Sequence, residues 1–227
     1  MNEIIETLRN LTTAIIPILI AITFHEVAHG YAAYKLGDPT AKDLGRLTLN
    51  PVPHIDLFNT VFMPIAMFLV SNGSFIFGAA KPVPVNFNNL RNPKRDIALV
   101  AAAGPLSNII IAFISILLLK MLPNSIEISG IYAKILIPIS KMLMYSIYFN
   151  IFLAAFNLLP IPPLDGGRIV TTLLPYKHAY QFAKLEPYGF IIMLGLWGVG
   201  LMTYIILPIQ YLIKVIITIF LIPFGGM

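Results

Sequence analysis

Three long apolar runs, separated by polar segments rich in proline and glycine, organise the chain. Residues 11–36, 97–122 and 131–159 are each longer than the roughly 20 residues that a transmembrane helix needs. The last apolar region, residues 187–223, has room for one tilted span and a further one, divided near Pro208. The pattern predicts an all-α polytopic membrane protein with about 5–6 transmembrane helices.

Two segments between the first and second runs do not fit a full crossing. Residues 57–70 are apolar but number only about 14, which favours a re-entrant or interfacial segment over a spanning one. Residues 44–49 alternate between apolar and polar side chains, which predicts a short strand. Residues 74–86 are predicted to be extended, because Pro82 and Pro84 exclude a helix. The strand at 44–49 and the extended stretch at 74–86 together predict a small membrane-associated β segment.

The composition supports the membrane interpretation. Of the 227 residues, 58% are hydrophobic and 11% are charged, whereas a soluble domain carries about 25% charged residues. The net charge of +5 is better explained by membrane topology than by a nucleic-acid partner, so no nucleic acid is expected. The absence of cysteine excludes disulfides and thiolate metal ligands.

A motif with metal-binding potential lies in the second half of the first run. His25 and His29 are four residues apart, so on a helix both imidazoles project from one face. Two neutral imidazoles can hold Zn²⁺, and Glu26 beside them can take a proton from a metal-bound water. The same pattern also occurs by chance in proteins that bind no metal. Ionisable residues inside a membrane span are costly and functional by default, which favours the metal site.

A catalytic zinc site needs a third protein ligand, which here has to be His, Asp or Glu. Asp165 is a candidate, because it follows the proline-rich end of the third run, where irregular backbone is tolerated only in packed protein or around a cavity. The alternative is that Asp165 caps the next turn through its Asp-Gly sequence. The remaining histidines are His54, in a polar loop, and His178, which we interpret as structural.

These motifs resemble those of the site-2 protease family, the zinc-dependent intramembrane metalloproteases (peptidase M50). The matching positions are His25 to His29, Asn157, Pro160, Pro162, Asp165-Gly166 and the Gly-Pro-Leu-Ser-Asn sequence at 104–108. Residues 50–56 and 78–86 resemble a compact prokaryotic branch without PDZ or CBS domains. The resemblance covers about residues 10–170. It implies a single transmembrane metalloprotease domain over 1–227, with a three-helix catalytic core at about 10–170 and C-terminal helices at about 187–223.

The resemblance also implies roles for individual residues. It implies three protein ligands for one Zn²⁺ per chain: His25, His29 and Asp165. It makes Glu26 the general base, gives Asn157 a hydrogen bond to the substrate backbone or the developing oxyanion, and makes Asn108 a residue that lines the site. For both asparagines the alternative is a hydrogen bond between membrane helices. His54 is a candidate for supporting the site or contacting substrate, and otherwise it is a loop histidine.

The proposed ligands constrain the topology, because residues that bind one ion must lie at one depth. The ends of the first and third runs must then face the same side, so residues 57–70 have to enter and leave the membrane on that side. Most lysines and arginines then lie on the active-site side, and the positive-inside rule places that side in the cytoplasm. We therefore predict a multi-pass cell-membrane protein whose active site opens to the cytoplasm.

The predicted function is that of a zinc-dependent intramembrane endopeptidase, which hydrolyses peptide bonds in or near transmembrane segments of membrane proteins. The expected partners are transmembrane protein substrates and the lipid bilayer; the substrate and the oligomeric state are left open. A helical substrate has to unwind before it is cut, and we expect residues 74–86 to bind it by strand addition. The alternatives are a transporter or channel that uses the His and Asp residues for ion passage, and a pseudo-protease that binds clients without cutting.

Overall fold

The computed structural model describes residues 2–70, 80–123 and 130–221, with side chains described from residue 12 onward except at residues 59, 61, 64, 67, 68, 70, 131, 190 and 221. Within these ranges the regular secondary structure is helical. The α-helices are α1 (Asn2–Leu36), α2 (Thr40–Asp43), α3 (Met63–Val70), α4 (Pro93–Met121), α5 (Gly130–Asn157), α6 (Asp165–Leu173), α7 (Tyr176–Ala183), α8 (Gly189–Gly198) and α9 (Leu201–Leu221). Short 3₁₀ turns occur at Val52–His54, Phe87–Asn89 and Glu186–Tyr188.

Four helices in the described ranges are long and apolar enough to cross a membrane. They are Thr12–Leu36, Pro93–Met121, Tyr132–Asn157 and Leu201–Phe220. The three long runs are therefore confirmed as helices of spanning length, but the count of five to six is not confirmed. Helix α8 has only 10 residues, so it is about 15 Å long, half the thickness of the hydrocarbon layer.

The break in the last apolar region lies at a glycine and not at the predicted proline. Helix α8 ends before Gly200, which has a φ of 77°, a left-handed conformation that only glycine adopts at little cost. Pro208 lies inside α9. Prolines within membrane helices are tolerated because neighbouring groups satisfy the freed carbonyls, so the prediction of a break near Pro208 was wrong.

The apolar segment at residues 57–70 is helical and short. It begins with a π-helical stretch, Leu57–Phe62, and continues as α3. Its first turn is fixed by Asp56, whose side chain accepts a hydrogen bond from the Phe58 amide (3.1 Å). About 14 helical residues reach about 21 Å, which is less than the roughly 30 Å of a bilayer core. This length agrees with a segment that does not cross.

The predicted β segment is not found in the described residues. Residues 44–49 form a turn and irregular backbone, and Gly45 has a left-handed φ of 66°. A strand needs a partner for its N–H and C=O groups, and the Arg46 guanidinium instead bonds the carbonyls of Lys81 and Pro82. Residues 80–86 have no regular secondary structure, and the remainder of the predicted extended segment, 74–79, lies outside the described residues.

The chain divides into two compact units. One contains residues 1–21 and 105–227, and the other contains residues 22–104. The core of the first unit is formed by i, i+4 pairs from α4, α5 and α9: Ala112 and Ile116, Ile147 and Ile151, Ile209 and Ile213. Because lipid tails are as apolar as these side chains, their close packing rather than exclusion of water holds the helices together.

The second unit has a smaller core, formed by Ala33, Leu90 and Val100. It holds the polar end of α1 against residues 80–90. Gly30 permits this approach, because an added Cβ would lie 2.6 Å from a Val83 methyl carbon and 2.6 Å from a Leu47 methyl carbon.

Candidate metal centre

The two imidazoles of the motif face each other on α1. His25 Nε2 and His29 Nε2 are 3.1 Å apart, and the ring planes are nearly perpendicular, at 85°. The Nδ1 of His29 lies 2.7 Å from the Val100 carbonyl oxygen. Because a carbonyl only accepts, Nδ1 carries the proton there, and the Nε2 of a neutral His29 keeps its lone pair for a metal.

This spacing fits a zinc ion. Two nitrogens that each lie about 2.0–2.1 Å from a tetrahedral Zn²⁺ are separated by about 3.3 Å, which is close to the 3.1 Å in the structure. His25 is buried, with 7% of its surface exposed. A pair of imidazole nitrogens turned toward each other in an apolar helix is the donor set that a divalent transition metal prefers.

Gly104 gives the imidazoles their space. A Cβ at this position would lie 2.4 Å from His29 Nε2 and 2.7 Å from His25 Cε1. The backbone of α4 therefore comes directly against the ring edges where a metal would bind. Gly104 begins the Gly-Pro-Leu-Ser-Asn sequence, but no role was predicted for it, because its function is the absence of a side chain.

Glu26 is held by a residue far away in the sequence. Its Oε2 accepts a hydrogen bond of 2.8 Å from the backbone N–H of Val83. Val83 is buried, with 6% of its surface exposed. One carboxylate oxygen is thus fixed by the protein, and the sequence analysis missed this contact because no local pattern marks a backbone donor.

The residues around Val83 are anchored on both sides. On one side, the Lys81 N–H donates to the His54 carbonyl oxygen (2.9 Å). On the other, the Asn86 N–H donates to Asp38 Oδ2 (2.7 Å) and the Asn89 side-chain amide donates to Asp38 Oδ1 (2.9 Å). These bonds fix the backbone that carries the donor to Glu26.

Asp38 is the most heavily bonded of these anchors and is fully buried. It follows the end of α1, and both the hydroxyl and the N–H of Thr40 also donate to its Oδ1. Burial alone would raise the pKa of this carboxyl group, but the hydrogen bonds from Thr40, Asn89 and Asn86 outweigh it and lower the pKa below its usual range. Asp38 is therefore a charged group that organises the segment.

Asp165 belongs to the other unit and is the first residue of α6. It is buried, with 6% of its surface exposed. Leu164, not Asp165, occupies the N-cap position, so the capping alternative does not explain why the carboxylate is there. The two following glycines place the first turn of α6 directly on the preceding loop: an added Cβ would lie 2.2 Å from the Leu158 carbonyl oxygen at Gly166 and 2.7 Å from the Pro162 nitrogen at Gly167.

Both candidate asparagines have hydrogen bonds within the helices. The Asn157 side-chain amide donates to the Leu153 carbonyl oxygen of the same helix (3.0 Å). The fully buried Asn108 donates to the Ala21 carbonyl oxygen (3.1 Å) and to Asn150 Oδ1 (2.8 Å), so it links α1, α4 and α5. These contacts favour the helix-bridging alternative for Asn108.

The two remaining histidines differ in their surroundings. His54 is 2% exposed, and its Nε2–H donates to the Thr48 carbonyl oxygen (2.9 Å). Its Nδ1 has no hydrogen-bond partner in the part of the chain that the structure describes. The backbone carbonyl of His54 accepts the hydrogen bond from the Lys81 N–H, two residues before Val83. His178 is exposed on α7, where nothing contradicts its structural interpretation.

Helices of membrane-spanning length that carry paired imidazoles and a fixed carboxylate define a multi-pass membrane protein of the metallohydrolase class. When the chain is compared with known protein families, the model of peptidase family M50 matches residues 13–199. The chain belongs to this family. It is therefore a membrane metallopeptidase, and the transporter or channel alternative is set aside.

Individual relatives agree with this family. The chain is 39% identical over 195 residues to "Putative zinc metalloprotease YwhC" of Bacillus subtilis, covering 86% of this chain and 84% of that protein. It is 27% identical over 181 residues to "Putative zinc metalloprotease Rip2" of Mycolicibacterium smegmatis, covering 78% of this chain and 63% of that protein. It is 24% identical over 164 residues to "Zinc metalloprotease MJ0392" of Methanocaldococcus jannaschii, covering 72% of this chain and 34% of that protein. No solved structure matches the chain.

Proposed function

We propose that this protein is a zinc-dependent endopeptidase that cuts membrane proteins in or near their transmembrane segments. The observation that carries the proposal is the 3.1 Å separation of His25 Nε2 and His29 Nε2 beside a carboxylate that a backbone N–H holds in place. The zinc metalloprotease names of the relatives and the M50 family support zinc as the metal.

Asp165 is the third zinc ligand in this proposal. Its support is that a buried carboxylate at the start of a helix needs a cation or donors to offset the loss of water. With His25 and His29 it would complete the three-ligand set of a catalytic zinc site, which leaves one position for water. One zinc per chain is expected.

When bound, the zinc would lower the pKa of a water toward about 7 and polarise the substrate carbonyl. Glu26 is then the general base: it takes a proton from the attacking water and later gives it to the leaving amine. The Val83 N–H holds Glu26 Oε2, so Oε1 is the oxygen that exchanges protons. The Val100 carbonyl keeps the proton of His29 on Nδ1, so the imidazole remains a neutral ligand.

Asn157 is the proposed donor to the substrate backbone or to the oxyanion that forms during attack. Its position as the last residue of α5 supports this role, since the partner of its amide among the described residues is the Leu153 carbonyl of its own helix end. Substrate would compete for that amide. A donor of this kind typically contributes about 10²–10³-fold to turnover.

Strand addition along residues 74–86 is not supported by residues 80–86, whose backbone donors are already engaged. A strand offers its N–H groups to a new partner, but the N–H groups of Lys81, Val83 and Asn86 already donate within the protein. Pro82 and Pro84 have none. Residues 80–86 are therefore better suited to hold Glu26 than to bind substrate by strand addition, and residues 74–79, the rest of the segment for which strand addition was predicted, lie outside the described residues.

The decisive experiment compares the purified parent protein with a Glu26→Gln variant on a single-span membrane substrate, with zinc measured in both. We expect about one zinc per chain in both proteins and cleavage by the parent alone. Equal cleavage would remove Glu26 from the mechanism. Zinc-loaded parent protein that binds but does not cut any tested substrate would instead support the pseudo-protease alternative.

We propose that the active site opens to the cytoplasm. With Leu57–Val70 taken as a segment that does not cross, residues 37–92 and 158–200 would lie on one side of the four helices of spanning length. Together with Lys35, Lys94 and Arg95 at the adjoining helix ends, these segments carry ten of the 15 lysines and arginines, which supports a cytoplasmic location. The chain has no cysteine, so single cysteines at Asn50 and Asn88 provide clean probes. Both should react with a membrane-impermeant maleimide only from the cytoplasmic side, and labelling from opposite sides would overturn the topology.

A further inference from the structure

The loop that leads to Asp165 packs against a segment that lies later in the chain. Gly189, the first residue of α8, is buried, and a Cβ built on it would lie 2.1 Å from Pro163 Cδ, 2.8 Å from the Pro163 nitrogen and 2.9 Å from the Pro162 carbonyl oxygen. The same loop also lies against Gly167, where an added Cβ would be 2.7 Å from the Pro162 nitrogen and 2.8 Å from the Ile161 carbonyl carbon. The loop therefore lies between the first turn of α6 and the start of α8.

The contact, and not the backbone conformation, makes glycine necessary at residue 189. Its φ of −55° and ψ of −40° are ordinary helical values, which alanine adopts more readily than glycine does. A Gly189→Ala change would stabilise the helix if space were available. Two of its three closest neighbours are backbone atoms, which cannot rotate away as a side chain can.

A second contact joins the same two segments. Arg168, on α6, forms an ion pair of 2.7 Å with Glu186 of the turn before α8. The two side chains are 38% and 41% exposed, so the pair is partly screened by water. It links the helix that carries Asp165 to the same turn from which Gly189 continues.

We infer that residues 186–189 form a support that positions Asp165, with Gly189 as the principal positioning residue. This inference rests on the proposed role of Asp165 as a zinc ligand. The apolar C-terminal region would thus act in metal binding through the loop at residues 160–164. Partners that orient a metal ligand typically affect metal affinity by about 10- to 100-fold when they are changed.

The test is a double-mutant cycle on zinc affinity, measured on full-length protein in detergent by competition with a chelator. Gly189→Ala should lower the affinity about tenfold or more. In an Asp165→Asn background the same change should have an effect below about twofold, because it acts through a ligand that is already absent. Equal effects in both backgrounds would overturn the inference.

Gly195→Ala is the matched control. Gly195 lies in the same helix, and none of the described residues lies within 4 Å of a Cβ added there, so the zinc affinity should be unchanged. If Gly189→Ala does not fold, Glu186→Gln gives a milder test, with an expected loss of about two- to fivefold that also vanishes in the Asp165→Asn background. An Asp165→Asn variant with the parental zinc affinity would contradict the proposed ligand set. If Asp165→Asn lowers the zinc affinity but neither Gly189→Ala nor Glu186→Gln does, the positioning role of residues 186–189 is contradicted and the ligand set is not.

Discussion

The backbone N–H of Val83 donates a 2.8 Å hydrogen bond to the side chain of Glu26, 57 residues earlier in the chain. A hydrogen bond to a charged acceptor is worth about 1.5–3 kcal/mol, and here the acceptor is the proposed catalytic base. The bond holds one carboxylate oxygen while the other remains for chemistry. The orientation of the base thus depends on residues 80–86, which the sequence analysis assigned to substrate binding.

Val83→Pro should reduce cleavage about 10- to 100-fold while leaving the zinc content unchanged. Proline removes the N–H that holds Glu26, and the stated energy of a charged hydrogen bond corresponds to a loss of this size. Turnover of a membrane-spanning substrate and metal content by mass spectrometry are the two measurements. The amide donates to Glu26, which is not one of the proposed zinc ligands, so zinc binding is not expected to change.

Two control variants separate the loss of the Val83 N–H from the other effects of the Val83→Pro substitution. Val83→Ala keeps the N–H and removes the side-chain methyl groups that lie against Gly30, whereas Val85→Pro places a proline two residues on, likewise after a proline, and keeps the Val83 donor. Both should retain more activity than Val83→Pro. Equal losses in all three would show that packing, and not the bond to Glu26, matters here.

Gly104→Ala should abolish or strongly reduce zinc binding. The added methyl group would lie 2.4 Å from His29 Nε2, the atom proposed to bind the metal, so the imidazole or α4 has to move. The zinc content of the purified protein measures this directly. Gly198→Ala is the control, because Gly198 is a helical glycine at which an added Cβ meets nothing within 4 Å in the part of the chain that the structure describes. A fully zinc-loaded Gly104→Ala protein would contradict the proposed geometry.

The elements that were predictable from sequence are those that local composition determines. Runs of apolar residues gave the helices α1, α4 and α5, because a bilayer demands a continuous apolar stretch of spanning length. The i, i+4 spacing of His25 and His29 placed both rings on one helical face for the same local reason.

The elements that were missed depend on partners distant in sequence. The strand predicted at residues 44–49 requires a neighbouring strand that bonds its backbone. In the described chain the segment instead bonds the Lys81 carbonyl through the side chain of Arg46. Val83 and Gly104 act through a backbone N–H and a missing Cβ, which have no signature in one sequence. Asn150, the partner of Asn108, lies in an apolar run where a lone amide could equally have faced several neighbours.

Asp38→Asn should destabilise the protein by about 1–3 kcal/mol near neutral pH, because the new amide would present a donor to the Asn86 N–H. The pKa of Asp38 is lowered on folding, so its stabilising effect is complete above the unfolded-state pKa of about 3.9 and is lost as the pH falls through the lower folded-state pKa. The gap in thermal stability between parent and variant should therefore shrink below about pH 4. Asp43→Asn, at an exposed site on α2, is the control, and a gap that is constant with pH would contradict this account.

Asn108→Ala distinguishes a helix-bridging role from a site-lining role. The Asn108 side chain joins α4 to Ala21 and Asn150 by hydrogen bonds of 3.1 and 2.8 Å, and such bonds between membrane helices contribute about 0.6 kcal/mol on average and up to about 1.7. We expect Asn108→Ala to lower stability, and a cycle with Asn150→Ala to give a coupling energy in this range. Zinc content and turnover per folded molecule should stay close to the parental values. A large loss of turnover with full stability would instead assign Asn108 to the active site, because a bond that only joins helices affects the reaction through folding alone.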